Sequence, residues 1–104
     1  MPEFDVTSVT AVPEGRARGF TVGGKEIVLV NVDGAIYAFQ GMCSHEDLPL
    51  DDGEVEDGIL TCEWHGARFD ACTGAAKGLP ATQPLRAYDA RVDDAGRVHV
   101  TLPG

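Results

Sequence analysis

Two short segments of the chain each place one cysteine close to one histidine. The segment "GMCSHEDLPL" carries Cys43 and His45, and "CEWHGARFD" carries Cys62 and His65. One residue separates the first pair, two residues separate the second, and sixteen residues lie between His45 and Cys62. Thiolates and imidazoles are ligands of zinc and of iron–sulfur clusters. The two pairs therefore predict a metal centre that both segments bind together.

The order of these ligands distinguishes between two kinds of centre. Structural zinc sites usually combine one segment that has two cysteines with another that has two histidines. Here each segment supplies one ligand of each kind, which suits a dinuclear centre with both cysteines on one iron and both histidines on the other. A zinc-stabilised binding module without redox activity is the alternative from a different functional class.

The rest of the chain is predicted to be all-β. Turn signals at 23–24, 33–34 and 94–96 separate segments rich in β-branched and aromatic residues. The predicted strands form a three-stranded meander, two short strands beside the second pair, and a closing hairpin: 17–22, 26–32, 35–40, 58–62, 67–70, 85–92 and 97–102. Because no segment keeps a helical period, we expect a small sandwich or barrel whose loops carry the ligands.

Composition limits the function classes. The chain has 104 residues, 43 % of them hydrophobic, which is enough for one domain with a single core. The longest aliphatic run, Ile27 to Val30, is too short to span a bilayer, and the first ten residues lack a signal-peptide pattern. Three cysteines are too few for a disulfide scaffold. We therefore expect a cytoplasmic protein.

The charge is strongly negative and unevenly distributed. A formal net charge of −9 argues against nucleic acid and anionic membranes as partners. No lysine or arginine lies between Lys25 and Arg68, whereas carboxylates are frequent between Glu46 and Glu63. This acidic segment is either a solvated surface or a docking face for a basic partner.

The spacing of the four candidate ligands resembles the signature of Rieske [2Fe-2S] proteins, in which two histidines replace two cysteines on one iron. Both ligand segments are similar to the ligand loops of Rieske ferredoxins, and "GLPATQPL" (78–85) resembles the proline-containing loop that covers the cluster. The similarity includes the meander and the closing hairpin. It implies a single Rieske domain over 1–104, a small antiparallel β-sandwich or barrel with a cluster-binding subdomain at about 41–83.

The resemblance also implies roles for individual residues. One [2Fe-2S] cluster would be bound by two thiolates on its inner iron and two imidazoles on its outer iron: Cys43, Cys62, His45 and His65. Three apolar side chains would shield the sulfurs from water: Leu48, Trp64 and Pro80. Cys72 would be a partly buried thiol that binds no metal. Independently of the resemblance, His99 lies between Val98 and Val100 in a predicted strand and is expected to face solvent.

Four positions indicate a low reduction potential. High-potential Rieske proteins carry two extra cysteines, which form a disulfide, and a serine and a tyrosine that donate to the sulfurs. The residues at the matching positions of this chain are Leu48, Trp64, Ala67 and Phe69. Each missing hydroxyl removes a donor that would favour the electron-rich reduced state, and the nearby carboxylates act in the same direction.

The histidine count excludes an oxygen-activating site. His99 alone is left outside the predicted cluster, so a second iron site with two histidines and a carboxylate cannot be built. The resemblance therefore implies an electron-transfer component and not an enzyme. It would relay electrons from an NAD(P)H-dependent flavin reductase to the terminal oxygenase of an aromatic-ring-hydroxylating dioxygenase system, docking transiently as a monomer. The alternative within electron transfer is the small subunit of an assimilatory NAD(P)H nitrite reductase.

Overall fold

The computed structural model describes residues 3–41, 53–61, 68–78 and 85–102. These ranges contain β-strands and one short 3-10 turn (Val9–Ala11), and they contain no α-helix. The strands are β1 (Glu3–Ser8), β2 (Arg18–Val22), β3 (Lys25–Val32), β4 (Ala35–Gln40), β5 (Glu54–Glu56), β6 (Ile59–Thr61), β7 (Arg68–Asp70), β8 (Ala76–Gly78), β9 (Ala87–Val92) and β10 (Arg97–Thr101). The all-β prediction is confirmed. Over the same ranges, no helix is long and apolar enough to cross a membrane.

The strands form two antiparallel sheets. The large sheet has the order β1-β10-β9-β4-β3-β2, and the small sheet has the order β5-β6-β7-β8. The predicted meander corresponds to β2–β4, and the predicted closing hairpin corresponds to β9–β10. The sequence did not predict β1, β5 or β8. Strands β5 (Glu-Val-Glu) and β8 (Ala-Lys-Gly) contain one β-branched residue between them, whereas β6 and β7, equally short, carry the apolar and aromatic residues by which they were predicted.

Strand β3 is buried on both faces, which explains its unbroken aliphatic run. Ile27 and Leu29 pack into an inner core with side chains of β4 and β10 and with Val12 and Leu102, which lie outside the strands. Val28 and Val30 pack into a second core, which lies between the two sheets. We call the second one the inter-sheet core.

The inter-sheet core attaches the small sheet to β3 and β4. Val55, Leu60 and Phe69 contribute one buried side chain from each of β5, β6 and β7, and they pack with Phe39 of β4. Phe69 is fully buried, so its replacement by alanine should cost about 3–5 kcal/mol. The small sheet is therefore held in place by packing between the sheets.

Candidate metal centre

Four residues of the small sheet form one row across its strands. Glu54 pairs with Thr61, Thr61 pairs with Arg68, and Arg68 pairs with Gly78. Glu54 is the first residue of β5, Thr61 the last of β6, Arg68 the first of β7 and Gly78 the last of β8. We call these four residues the border row.

The border row marks where three segments of interest join the small sheet. Segment 42–52 precedes it, segment 62–67 connects Thr61 to Arg68, and segment 79–84 follows Gly78. In an antiparallel sheet the end of one strand lies beside the start of the next. All three segments are consequently joined to the same end of the small sheet.

The predicted cluster residues lie in these three segments, outside the residues that the structure describes: Cys43, His45, Leu48, Cys62, Trp64, His65 and Pro80. Their roles stay predictions. Ala67, one of the positions used to predict the potential, lies in the same segments. Among the described residues, no group of three or more histidines, cysteines and carboxylates is placed to hold a metal ion. The described residues thus contain no second candidate metal site.

Asp70 fixes the turn between β7 and β8. Its Oδ1 accepts hydrogen bonds from the backbone N–H groups of Cys72 (2.8 Å) and Thr73 (3.1 Å). The bond from Cys72 is the main cause of the lowered pKa of Asp70; desolvation opposes it, while Thr73 and the Lys77 ammonium lower it further. The sequence showed Asp70 only as part of a ligand-loop pattern, because its partners are backbone groups.

The turn between β7 and β8 also binds the chain that follows segment 79–84. The N–H of Leu85 donates to the carbonyl of Gly74 at 2.7 Å. Gly74 has a φ of +84°, and a Cβ at this position would lie 2.7 Å from the Leu85 carbonyl oxygen. Glycine is therefore required here by its backbone conformation and by the close approach of Leu85.

Cys72 differs from its prediction. Its side chain is exposed, and the expectation of a partly buried thiol is wrong. A hydrogen bond between Cys72 and the Tyr37 hydroxyl raises the pKa of the tyrosine. The turn that carries Cys72 leaves the inter-sheet core at Ala71, which is why the next residue reaches the surface.

Two carboxylates of the acidic segment lie on β5. Glu54 and Glu56 are exposed on either side of the buried Val55, so both carboxyl groups lie on one face of the strand. A hydrogen bond and charge repulsion from Glu54, with a smaller contribution from Asp57, raise the pKa of Glu56. The border row therefore carries one exposed carboxylate, Glu54, and Glu56 lies two residues from it on the same face.

His99 belongs to the large sheet. Its neighbours Val98 and Val100 are buried, so its side chain points to the outer face as expected. Only 15 % of the side chain is exposed, however, because it lies between Asp93 (Nε2 to Oδ2, 2.7 Å) and Glu3 (Nδ1 to Oε1, 3.9 Å). The prediction was right about the face and wrong about the exposure.

Comparison with known proteins defines the class. The Rieske [2Fe-2S] domain family matches residues 3–89 of this chain. The ferredoxin component of a naphthalene 1,2-dioxygenase system from Pseudomonas putida is 36 % identical over 99 residues, which cover 95 % of this chain and 94 % of that protein. The family match and this relative define the class as an iron–sulfur electron-transfer protein. This chain belongs to the family of Rieske [2Fe-2S] ferredoxins.

Two solved structures extend the similarity to the whole fold. The ferredoxin of carbazole 1,9a-dioxygenase from Nocardioides aromaticivorans is 31 % identical, with a TM-score of 0.90 over 99 % of this chain and 100 % of that one. A ferredoxin chain in the complex of reduced oxygenase and oxidized ferredoxin in carbazole 1,9a-dioxygenase has a TM-score of 0.84 at 27 % identity over 94 % of this chain and 100 % of that one. The family's cofactor is a Rieske-type [2Fe-2S] cluster. The match therefore contradicts the alternative of a zinc-stabilised binding module.

Proposed function

We propose that this protein is a low-potential one-electron carrier of the cytoplasm. It would take electrons from an NAD(P)H-dependent flavin reductase and deliver them to the terminal oxygenase of an aromatic-ring-hydroxylating dioxygenase system. The observation that carries the proposal is the border row, because it joins three segments with the donor set of a Rieske cluster to one end of the small sheet. The relatives named as ferredoxin components support it.

The proposed ligands follow from the donor set. Cys43 and Cys62 would bind one iron as thiolates, and His45 and His65 would bind the other through one ring nitrogen each. Two thiolates and two imidazoles fit this cluster, and the cluster-binding part would comprise about 41–83. When bound, the cluster supplies a reversible one-electron couple. Three apolar side chains of the same part would keep water from the sulfurs: Leu48, Trp64 and Pro80.

The described residues support a low potential in two ways. Phe69 is fully buried and has no hydroxyl, so it cannot donate a hydrogen bond toward the ligand segments. Glu54 and Glu56 place negative charge at and beside the border row, which disfavours the additional negative charge of the reduced state. Solvent screens part of this effect because both side chains are exposed.

The proposed partners are two proteins that dock transiently on a monomer. The complex of an oxygenase with its ferredoxin in the carbazole system supports an oxygenase as one of them. The acidic segment between Lys25 and Arg68 would provide the docking face, and complementary basic groups on the partner would guide the encounter.

The nitrite reductase alternative has weaker support. A structure assigned as the small subunit of an NADH-dependent nitrite reductase from Mycobacterium tuberculosis has a TM-score of 0.86 with 19 % identity, over 99 % of this chain and 96 % of that one. At this identity the likeness shows the fold alone. The complete set of four candidate ligands and the higher identity to the dioxygenase ferredoxins favour the carrier of an oxygenase system.

Film voltammetry of the purified protein at neutral pH tests the proposal. Rieske clusters have potentials from about −150 to +300 mV, and we expect a reversible one-electron wave near the lower limit, from a red-brown protein. A wave hundreds of millivolts higher would contradict the role assigned to Phe69 and the carboxylates. A colourless protein without a wave would contradict the cluster ligands.

A further inference from the structure

Gln40 connects two parts of the chain in an unusual way. Its backbone N–H donates to the Arg86 carbonyl at 2.9 Å, and its side-chain Oε1 accepts from the Arg86 N–H at 2.7 Å. The preceding residue, Phe39, pairs with Ala87 in the β4–β9 ladder, so Gln40 and Arg86 are the next pair in register. In a regular antiparallel ladder the Arg86 N–H would donate to the backbone carbonyl of Gln40. The side chain takes the place of that carbonyl.

This replacement occurs where β4 separates from β9. The next residue, Gly41, donates its N–H to the Glu26 carbonyl at 2.9 Å and so continues along β3. A Cβ on Gly41 would lie 2.8 Å from the backbone carbon of Glu26, so glycine is needed for this approach. The backbone therefore follows β3, while the Gln40 side chain spans the opening toward Arg86.

Residues 85 and 86 are held from a second side as well. Leu85 is buried in the inter-sheet core, and its N–H donates to the Gly74 carbonyl at 2.7 Å. At the other end of segment 79–84, Gly78 is paired with Arg68 in the border row. Both ends of segment 79–84 are thus fixed, and Gln40 ties one of them to the chain that begins segment 42–52.

We propose that Gln40 is a positioning residue for the cluster. Its side-chain amide sets the position of the chain that leads to Cys43 and His45 relative to the chain that follows Pro80. Loss of the amide would let these two parts move apart and admit water or chelators to the centre. This inference rests on the proposed function, since it requires that the cluster is bound between these segments.

Three variants test whether Gln40 positions the segments that would bind the cluster or only stabilises the fold. Gln40→Leu removes the acceptor at similar volume, and Gln40→Glu restores an acceptor oxygen. The matched control is Asn31→Leu, because the Asn31 amide also links two backbone segments, donating to the Val12 carbonyl (3.0 Å) and accepting from the Gly34 N–H (2.9 Å). Asn31 lies four positions along β3 from Ile27, the cross-strand partner of Gln40, about 13 Å away.

The measurements are amide hydrogen exchange at Arg86, the rate of iron release to a ferrous chelator, and the reduction potential. We expect Gln40→Leu to speed exchange at Arg86 at least tenfold, to speed iron release at least threefold and to shift the potential. Gln40→Glu should restore slow exchange and slow iron release, and Asn31→Leu should leave all three quantities unchanged.

Each other outcome is informative. If exchange at Arg86 increases in Gln40→Leu while iron release and potential stay at wild-type values, the residue is structural and the inference is wrong. The same holds if Asn31→Leu reproduces the effects, because they would then reflect general destabilisation. If the wild-type protein binds no cluster, the proposed function fails first and this inference fails with it.

Discussion

At the residue scale, two polar side chains of the described residues, Gln40 and Asp70, accept hydrogen bonds from backbone N–H groups next to the proposed cluster segments. The types and spacing of Cys43, His45, Cys62 and His65 predicted a Rieske cluster, and the family match confirms that cofactor. The roles of these four residues as its ligands stay a prediction. The role of Gln40 was not predictable, since its partner Arg86 lies 46 residues away and accepts and donates through backbone groups. The same reason applies to Asp70, which bonds backbone N–H groups.

The ligand assignment makes a prediction at this scale. His65→Cys should shift the reduction potential markedly downward or abolish cluster binding. The reason is that a negatively charged thiolate would replace a neutral imidazole as the ligand. Voltammetry and the visible spectrum measure both results. His99→Gln is the control, since His99 lies in the large sheet, and its potential should match the wild type. An unchanged potential in His65→Cys would show that His65 is not a ligand.

At the scale of elements, seven of the ten strands in the described residues were predicted from β-branched and aromatic residues between turn signals, and β1, β5 and β8 were not. Strands β3 and β4 are defined by their own residues, because each must bury apolar side chains on two faces. Strand β1 packs Phe4 and Val6 against the inner core and pairs with β10. Two ion pairs on its exposed face join it to the same region, Glu3 with Arg91 (2.8 Å) and Asp5 with Arg97 (2.8 Å). These contacts join residues close to opposite ends of the sequence, so local patterns could not reveal them.

The turn between β9 and β10 gives a pH-dependent prediction. The pKa of Asp93 is lowered to about 2, chiefly by its hydrogen bond with His99 and next by the Arg97 N–H. An aspartate with a pKa below the unfolded value of about 3.9 stabilises the fold above that pH, and the contribution is lost as pH falls toward 2. Asp93→Asn should therefore lower Tm at pH 7, and the difference from the wild type should shrink steadily as pH falls to about 2.

Thermal unfolding followed by circular dichroism between pH 2 and 7 measures this difference. Asp93→Asn keeps an Oδ1 that can accept from the Ala95 and Arg97 N–H groups, so the turn itself is retained. Asp94→Asn, in the same turn, is the control and should follow the wild-type curve. A constant Tm difference across this pH range would contradict the assigned electrostatic cause.

At the scale of the whole molecule, the distribution of charge was predictable but its use was not. The sequence alone shows a net charge of −9 and a long segment without basic residues. The structure adds that Glu54 and Glu56 present their carboxyl groups on one exposed face at the border row. A docking role depends on the partner's surface, which no residue of this chain encodes.

Charge reversal tests that role. Asp51→Lys with Asp52→Lys should slow electron transfer to the oxygenase at least tenfold at low ionic strength, because steering by opposite charges is lost. The difference should disappear at high salt, where charges are screened within a few ångströms, and the potential should change little. Stopped-flow kinetics measure the rate. Asp89→Lys on β9 with Asp94→Lys in the β9–β10 turn makes the same change in net charge away from the small sheet. Equal slowing by both double variants would assign the effect to net charge alone.

The pairing of Leu60 with Phe69 constrains the length of the connection between β6 and β7. Both side chains are fully buried in the inter-sheet core, and their neighbours Thr61 and Arg68 are not. A slip of either strand by one residue would replace an apolar side chain in the core with a polar one. The inter-sheet core thereby fixes the register of β6 against β7 and, with it, the number of residues in the connection between them. Apolar packing, without any contribution from iron, dictates how many residues separate the two points at which the second ligand segment begins and ends.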